Sequence, residues 1–92
     1  MRKLHALIYE YGDDVLERRG PFRDEHLALI AQWNTDGKLV IAGALGDPPH
    51  GGFIAFDVAD PAEVEAFVAA DPYAKEGIVT SHRVEPWTVV TP

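Results

Sequence analysis

Of the four histidines in this sequence, one lies where apolar side chains are expected. At about 100° per residue, the helical segment that follows Pro21 gathers Phe22, Leu29, Ile30 and Trp33 on one face, and His26 falls near the middle of that arc. Asp24 and Glu25 fall outside the arc, and Arg23 lies at its border. In a second helical segment Val64, Phe67 and Val68 mark the inward face, and continuing it to its end places Asp71 there too. A carboxylate withdrawn from water is costly unless it is paired, and a histidine is the partner available. Such a pair is suited to moving protons. Imidazole titrates near neutral pH in its ordinary state, and a carboxylate on one ring nitrogen fixes the tautomer and leaves the other nitrogen for the substrate. Arg18, Arg19 and Arg23 add a local positive patch that can receive a small anion. A second account fits the same residue types: His26 bonded to a backbone carbonyl in the core, Asp71 capping a turn before Pro72, and the arginines solvated.

The other histidines carry less chemistry. His5 falls in a strand, His82 at a strand start, and His50 in a loop where it either closes over a ligand or is solvated. A metal site built from them would need ligands scattered over four elements with no short-spaced pair, so none is expected. No phosphate-binding glycine motif or nucleophile elbow occurs, and no cofactor is implied.

The elements that must position His26 and Asp71 can be read in order. Lys3 to Tyr11 is aliphatic, aromatic and β-branched, which predicts a strand ended by Gly12-Asp13-Asp14. Asp14 to Arg19 has room for a short helical turn. Pro21 suits the first turn of a longer helix reaching about Asp36, closed by Gly37. Lys38 to Leu45 is the second strand, Gly46 to Gly52 a mobile loop, and Phe53 to Val58 the third strand. Asp60-Pro61-Ala62-Glu63 has a capping Asp, a proline at the first helical position and Glu three residues after the cap. That helix must stop at Ala70 or Asp71, because Pro72 disfavours helical backbone in the residue before it. Ile78 to Val90 is the last strand, interrupted at Pro86.

Strand, helix, strand, strand, helix, strand is the split βαβ order of the α+β ferredoxin-like fold (βαββαβ), a four-stranded antiparallel sheet with two helices on one face. In that order the two helices run antiparallel, so the early part of the first and the late part of the second share one end of the layer. His26 and Asp71 become neighbours there. The exit of the first strand, with Tyr9 and Tyr11, reaches the same end and makes Tyr9 a candidate ligand contact. The other sheet face is also apolar in the first two strands, where a solvated face would alternate. A second copy of the chain, packed sheet to sheet as a homodimer, is expected to cover it.

Composition narrows the partners. The chain has 92 residues, 47% of them hydrophobic and 25% charged, which suits one compact domain. Eight Lys plus Arg against 15 Asp plus Glu leave a net charge of -7, which opposes nucleic acid. No apolar run approaches membrane-spanning length and no secretory signal precedes the first strand, so a cytoplasmic location is expected. Without cysteine there is no disulfide, thiolate nucleophile or sulfur-ligated zinc.

Several of these residues also form a recognisable set: Arg23-x-x-His26, Gly37, Ala42-Gly43, Asp71-Pro72-Tyr73, Gly77 and Pro86-Trp87. Together, at this spacing, the sequence resembles the YciI-like (YCII-related) family over essentially its whole length. The resemblance implies a dimeric α/β barrel of ferredoxin-like domains, with an active site around His26 and Asp71 and with Arg23 beside them. It also points to Gly43 and Tyr73 as ligand-binding positions. The family includes a chloromuconolactone dehalogenase, which implies lyase or isomerase chemistry on a small anionic molecule. Two departures stand out. Many relatives have Gly-Pro after the second strand where this chain has Gly43-Ala44-Leu45, and the early Asp-then-Arg pattern of relatives aligns only loosely with Asp13/Asp14 and Arg18/Arg19.

Overall fold

A computed structural model describes all 92 residues. Strand β1 (Arg2–Tyr11) leads through a single turn of helix, α1 (Val15–Arg18), into the long helix α2 (Gly20–Thr35). Strands β2 (Leu39–Leu45) and β3 (Gly51–Phe56) follow, then helix α3 (Pro61–Ala70), a second one-turn helix, α4 (Pro72–Lys75), and strand β4 (Val79–Val89). The strands form one sheet in the order β2-β3-β1-β4, and all three neighbouring pairs are antiparallel. This is the ferredoxin-like arrangement expected from the element order. No helix is long and apolar enough to cross a membrane.

The core lies between the sheet and the helices. Leu7 and Tyr9 of β1, Leu39 of β2, and Ile54 and Phe56 of β3 meet Val64, Phe67 and Val68 of α3. Trp33 of α2 packs edge-on against Phe56 and Phe67, with ring centroids 5.8 and 5.4 Å apart, an arrangement that matches the positive rim of one ring to the negative face of another. Alternation in β1 sends Leu4, Ala6 and Ile8 to the opposite face. There Phe53 of β3 meets Trp87 of β4 at 5.4 Å, and Ile41 and Trp87 remain 63% and 38% exposed. Around Ile41, Phe53 and Trp87 the second face is therefore apolar and uncovered in the single chain, while β4 adds Arg83 and Glu85 opposite Ile8 and Ala6.

Local chemistry sets the boundaries. Gly37 takes φ +79 after α2, a left-handed conformation that a side chain would disfavour. Asp60 caps α3 by accepting the Ala62 N–H at 2.8 Å, as its sequence position predicts. Three expectations differ from the structure. Strand β3 begins at Gly51 and ends at Phe56, earlier than expected, because Gly51 and Gly52 pair with Glu10 and Tyr9 of β1. The preceding loop is correspondingly shorter and tied down: the His50 N–H donates to the Leu45 carbonyl, and the Tyr11 N–H donates to the His50 carbonyl, both at 2.9 Å. Strand β4 runs through Pro86 without interruption, opposite His5. β4 is an edge strand bonded only to β1, and such a strand can spare alternate N–H groups.

Candidate active site

Asp71 sits at the joint between two helices. Pro72 forces it out of α3 into extended backbone, with φ -76 and ψ 119, and the same conformation makes it the N-cap of α4. Its Oδ1 accepts the Tyr73 N–H at 3.0 Å. The capping role and the pairing role, which the residue types leave as alternatives, coexist. Oδ1 also accepts from His26 Nδ1 at 2.8 Å, and Oδ2 accepts the Tyr9 hydroxyl at 2.8 Å. Asp71 is fully buried, yet its carboxylate receives three hydrogen bonds, the condition under which a buried acceptor is stable.

This network fixes the histidine. An ionised carboxylate only accepts, so the proton on the Asp71 side resides on Nδ1. The ring lies flat on the Tyr73 ring, with centroids 3.7 Å apart and planes 3° from parallel. Two constraints, an in-plane hydrogen bond and a stacking face, therefore hold one small side chain. Nε2 has no protein partner, and no side-chain nitrogen or oxygen is both buried and unpartnered, so Nε2 is open to the adjacent cavity.

That cavity has a volume of about 260 Å³. Its floor is the sheet, where Ala42, Gly43, Ala44 and Gly52 present little or no side chain, and Leu27, Ile30 and Ile54 supply apolar wall. A Cβ at Gly52 would lie 3.0 Å from the Tyr11 hydroxyl oxygen, so a side chain there would have to push that phenol aside. The polar lining is Tyr11, Arg19, Arg23, His26 and Tyr73, with no carboxylate among the lining residues.

The phenols report the electrostatics. Burial first, then the Asp71 charge, pushes the Tyr9 hydroxyl far above the ordinary tyrosine range, so it remains a donor to Asp71. Burial, with Tyr73 and Asp71 adding to it and Arg19 opposing, leaves Tyr11 pushed up to about 12. Tyr73 is also raised by burial, while the Arg19 and Arg23 guanidiniums pull the other way.

The model of the YCII-related domain matches residues 3–88. The chain belongs to the YCII-related family. Among solved structures, this YCII-related domain is similar to 5-chloro-2-hydroxyhydroquinone dehydrochlorinase from Burkholderia phenoliruptrix AC1100, in complex with 2,5-dihydroxybenzoquinone. The identity is 24%, 92% of this chain and 93% of the other are covered, and the TM-score is 0.78. An uncharacterized NIPSNAP domain protein from Burkholderia xenovorans is 16% identical, with 98% of each chain covered and a TM-score of 0.57. At these identities the likeness shows the fold alone. No curated protein matches the chain.

Of the candidate residues in this YCII-related domain, His26, Arg23, Gly43 and Tyr73 border the cavity, and Asp71 stands directly behind His26. Tyr9 is a correction to its expected place. It is not in the cavity wall, because its hydroxyl is directed at Asp71 and the residue is almost entirely buried. Tyr11 is a lining residue not named as a ligand contact from the sequence, and of the arginine patch expected to receive an anion Arg19 and Arg23 reach the cavity while Arg18 does not. Arg18 and Arg19 are adjacent and chemically identical, so their types do not separate them, yet the Arg18 guanidinium is held by the Glu76 and Gly77 carbonyls while Arg19 turns to the cavity. The other histidines are elsewhere: His5 contacts the Val58 carbonyl at 3.1 Å, and His82 pairs with Glu65 on the surface at 2.6 Å.

Proposed function

We propose that this domain is a small acid/base enzyme acting on a small anionic metabolite, with His26 as the proton carrier and with no cofactor. The observation that carries the reading is an imidazole held at Nδ1 by a fully buried carboxylate while Nε2 opens onto a cavity bordered by guanidinium groups. Nε2 removes a proton from a carbon or hydroxyl of the bound substrate. The imidazolium so formed is stabilised by the Asp71 carboxylate, whose position is secured by Tyr9 and the Tyr73 N–H. Arg23 holds the anionic group, and the stacked Tyr73 ring and the bare backbone at Gly43 shape the space it enters. The electron pair left behind then expels a leaving group, as in a lyase, or recaptures the proton at another atom, as in an isomerase.

The similar solved structure is that of a dehydrochlorinase with a hydroxylated quinone bound, which agrees with proton removal coupled to loss of a leaving group. A second reading, a binding or accessory domain that uses the same cavity without chemistry, rests on the same lining. The uncovered apolar part of the outer sheet face supports a homodimer packed sheet to sheet.

A thermal-shift screen of small carboxylates, lactones and hydroxyquinones, followed by a product assay on every hit, separates the two readings. Conversion that disappears in His26→Ala and His26→Asn, with the folded far-UV spectrum retained, is the expected result. Ligands that bind but are never converted support the accessory role, and a His26 variant with full turnover would refute the proton carrier.

A further inference from the structure

The chain carries 15 acidic residues and five arginines, so an arginine without a carboxylate neighbour is unusual here. Arg2 pairs with Asp57, Arg18 with Asp14, and Arg83 with Glu85. Arg19 and Arg23 have no carboxylate partner, the Arg23 guanidinium lying beside the Tyr73 hydroxyl, and they are the two arginines that border the cavity. No carboxylate lines that cavity.

Backbone geometry places them together. Arg19 joins α1 to α2 in helical conformation, with φ -71 and ψ -24; its N–H donates to the Val15 carbonyl and its own carbonyl accepts the Phe22 N–H, each at 2.9 Å. Arg23 lies four residues later in α2, so the two side chains rise from one helical face about 5–6 Å apart at their bases. Like charges at this spacing repel one another, and no carboxylate of the protein pairs with either or lines the cavity. Two anionic groups on one ligand would offset the repulsion.

We infer that the cavity is a two-point anion receptor, with Arg19 and Arg23 each taking one anionic group of a dianionic substrate while the apolar wall between His26 and Ile30 takes its carbon frame. This deepens the function proposed above and rests on the cavity beside His26 being the site. It assigns Arg19 a substrate-binding role equal to that of Arg23. An arginine fork suits a carboxylate, because two parallel N–H groups match its two oxygens.

The test is calorimetric titration of the full chain with succinate, glutarate and adipate, and with butyrate, pentanoate and hexanoate, which match them in length and carry one charge fewer. The best dicarboxylate should bind about tenfold or more tighter than its monocarboxylate counterpart. Arg19→Met and Arg23→Met should each remove that preference. Arg83→Met, which deletes a cation paired with Glu85 outside the cavity, should retain it. If Arg19→Met does not fold, Arg19→Lys keeps the charge without the fork and should lower the preference without removing it. Equal affinity within each length-matched pair, an undiminished preference in a folded Arg19 variant, or no carboxylate binding at millimolar concentration would overturn the inference. A dianion that binds through both arginines but is never converted leaves the receptor standing and removes only the enzymatic reading. Turnover confined to monoanions does the reverse.

Discussion

Asp71 Oδ1 accepts two hydrogen bonds and Oδ2 a third, so one buried carboxylate holds the orientation of His26, the hydroxyl of Tyr9 and the start of α4. The tyrosines around it make a measurable consequence. All three tyrosines of the chain have raised pKa values, chiefly through burial. Unfolding releases them to the ordinary value of 10.0. Below that pH both states keep the phenolic protons and stability does not depend on them. Above it the unfolded chain loses protons that the folded chain retains, so stability falls as pH rises. Tyrosinate absorbance in the folded protein should accordingly lag behind that of free tyrosine between pH 10 and about 12, the value of Tyr11. The denaturation midpoint should fall over the same interval, and Tyr11→Phe should make that fall shallower. A native-state titration superimposable on that of free tyrosine would contradict the buried placement of these rings.

Two aspartates cap helices in this fold, and comparing them separates local from tertiary roles. Asp60 is exposed and accepts only the Ala62 N–H, so Asp60→Ala should cost about 1 kcal/mol, the worth of an N-cap. Asp71 performs the same task for α4 but also faces His26 and Tyr9. Asp71→Ala leaves buried donors without an acceptor and should cost about 3 kcal/mol or more, read from urea unfolding of the two variants side by side. Equal losses would mean that the buried network adds nothing to the cap. Both caps precede a proline, and the sequence signals of Asp60-Pro61 and Asp71-Pro72 are alike. Only the packing of α4 against α2 tells them apart. The short helix α4 was legible only as a turn capped by Asp71 before Pro72, whereas α2 and α3 were placed to within a residue or two by their prolines, caps and Gly37.

At the scale of the molecule, the sheet has one face under α2 and α3 and another on which Ile41 and Trp87 are exposed beside Ile8 and Phe53. Exposed apolar area of this kind on an antiparallel sheet is ordinarily a contact surface. A sheet-to-sheet homodimer would cover it, with Trp87, which packs on Phe53, in the contact. Sedimentation at micromolar concentration should give twice the monomer mass of 10.1 kDa, and Trp87→Glu should shift the protein towards monomer. A wild-type chain that sediments as a monomer at all concentrations would leave that face to some other partner. The cavity opens on the helix side of the sheet, so its lining belongs to one chain and the dianion preference should survive in the Trp87→Glu monomer.

The linear order of residues was enough to determine the split βαβ topology, because prolines, caps and alternation are local signals and the antiparallel course of the two helices follows from them. It also placed a histidine and a carboxylate, 45 positions apart, at one end of the helical layer. Which atoms would meet lay beyond it. Tyr9 became a support for Asp71 and not a wall of the cavity, and of two adjacent arginines one clamps Glu76 while the other turns inward. Such choices depend on side-chain direction at the junction of α1 and α2 and on the register of β1 against β3. Both are settled only when the helices pack on the sheet, since burial decides which donors must find acceptors and which cations are left for a ligand.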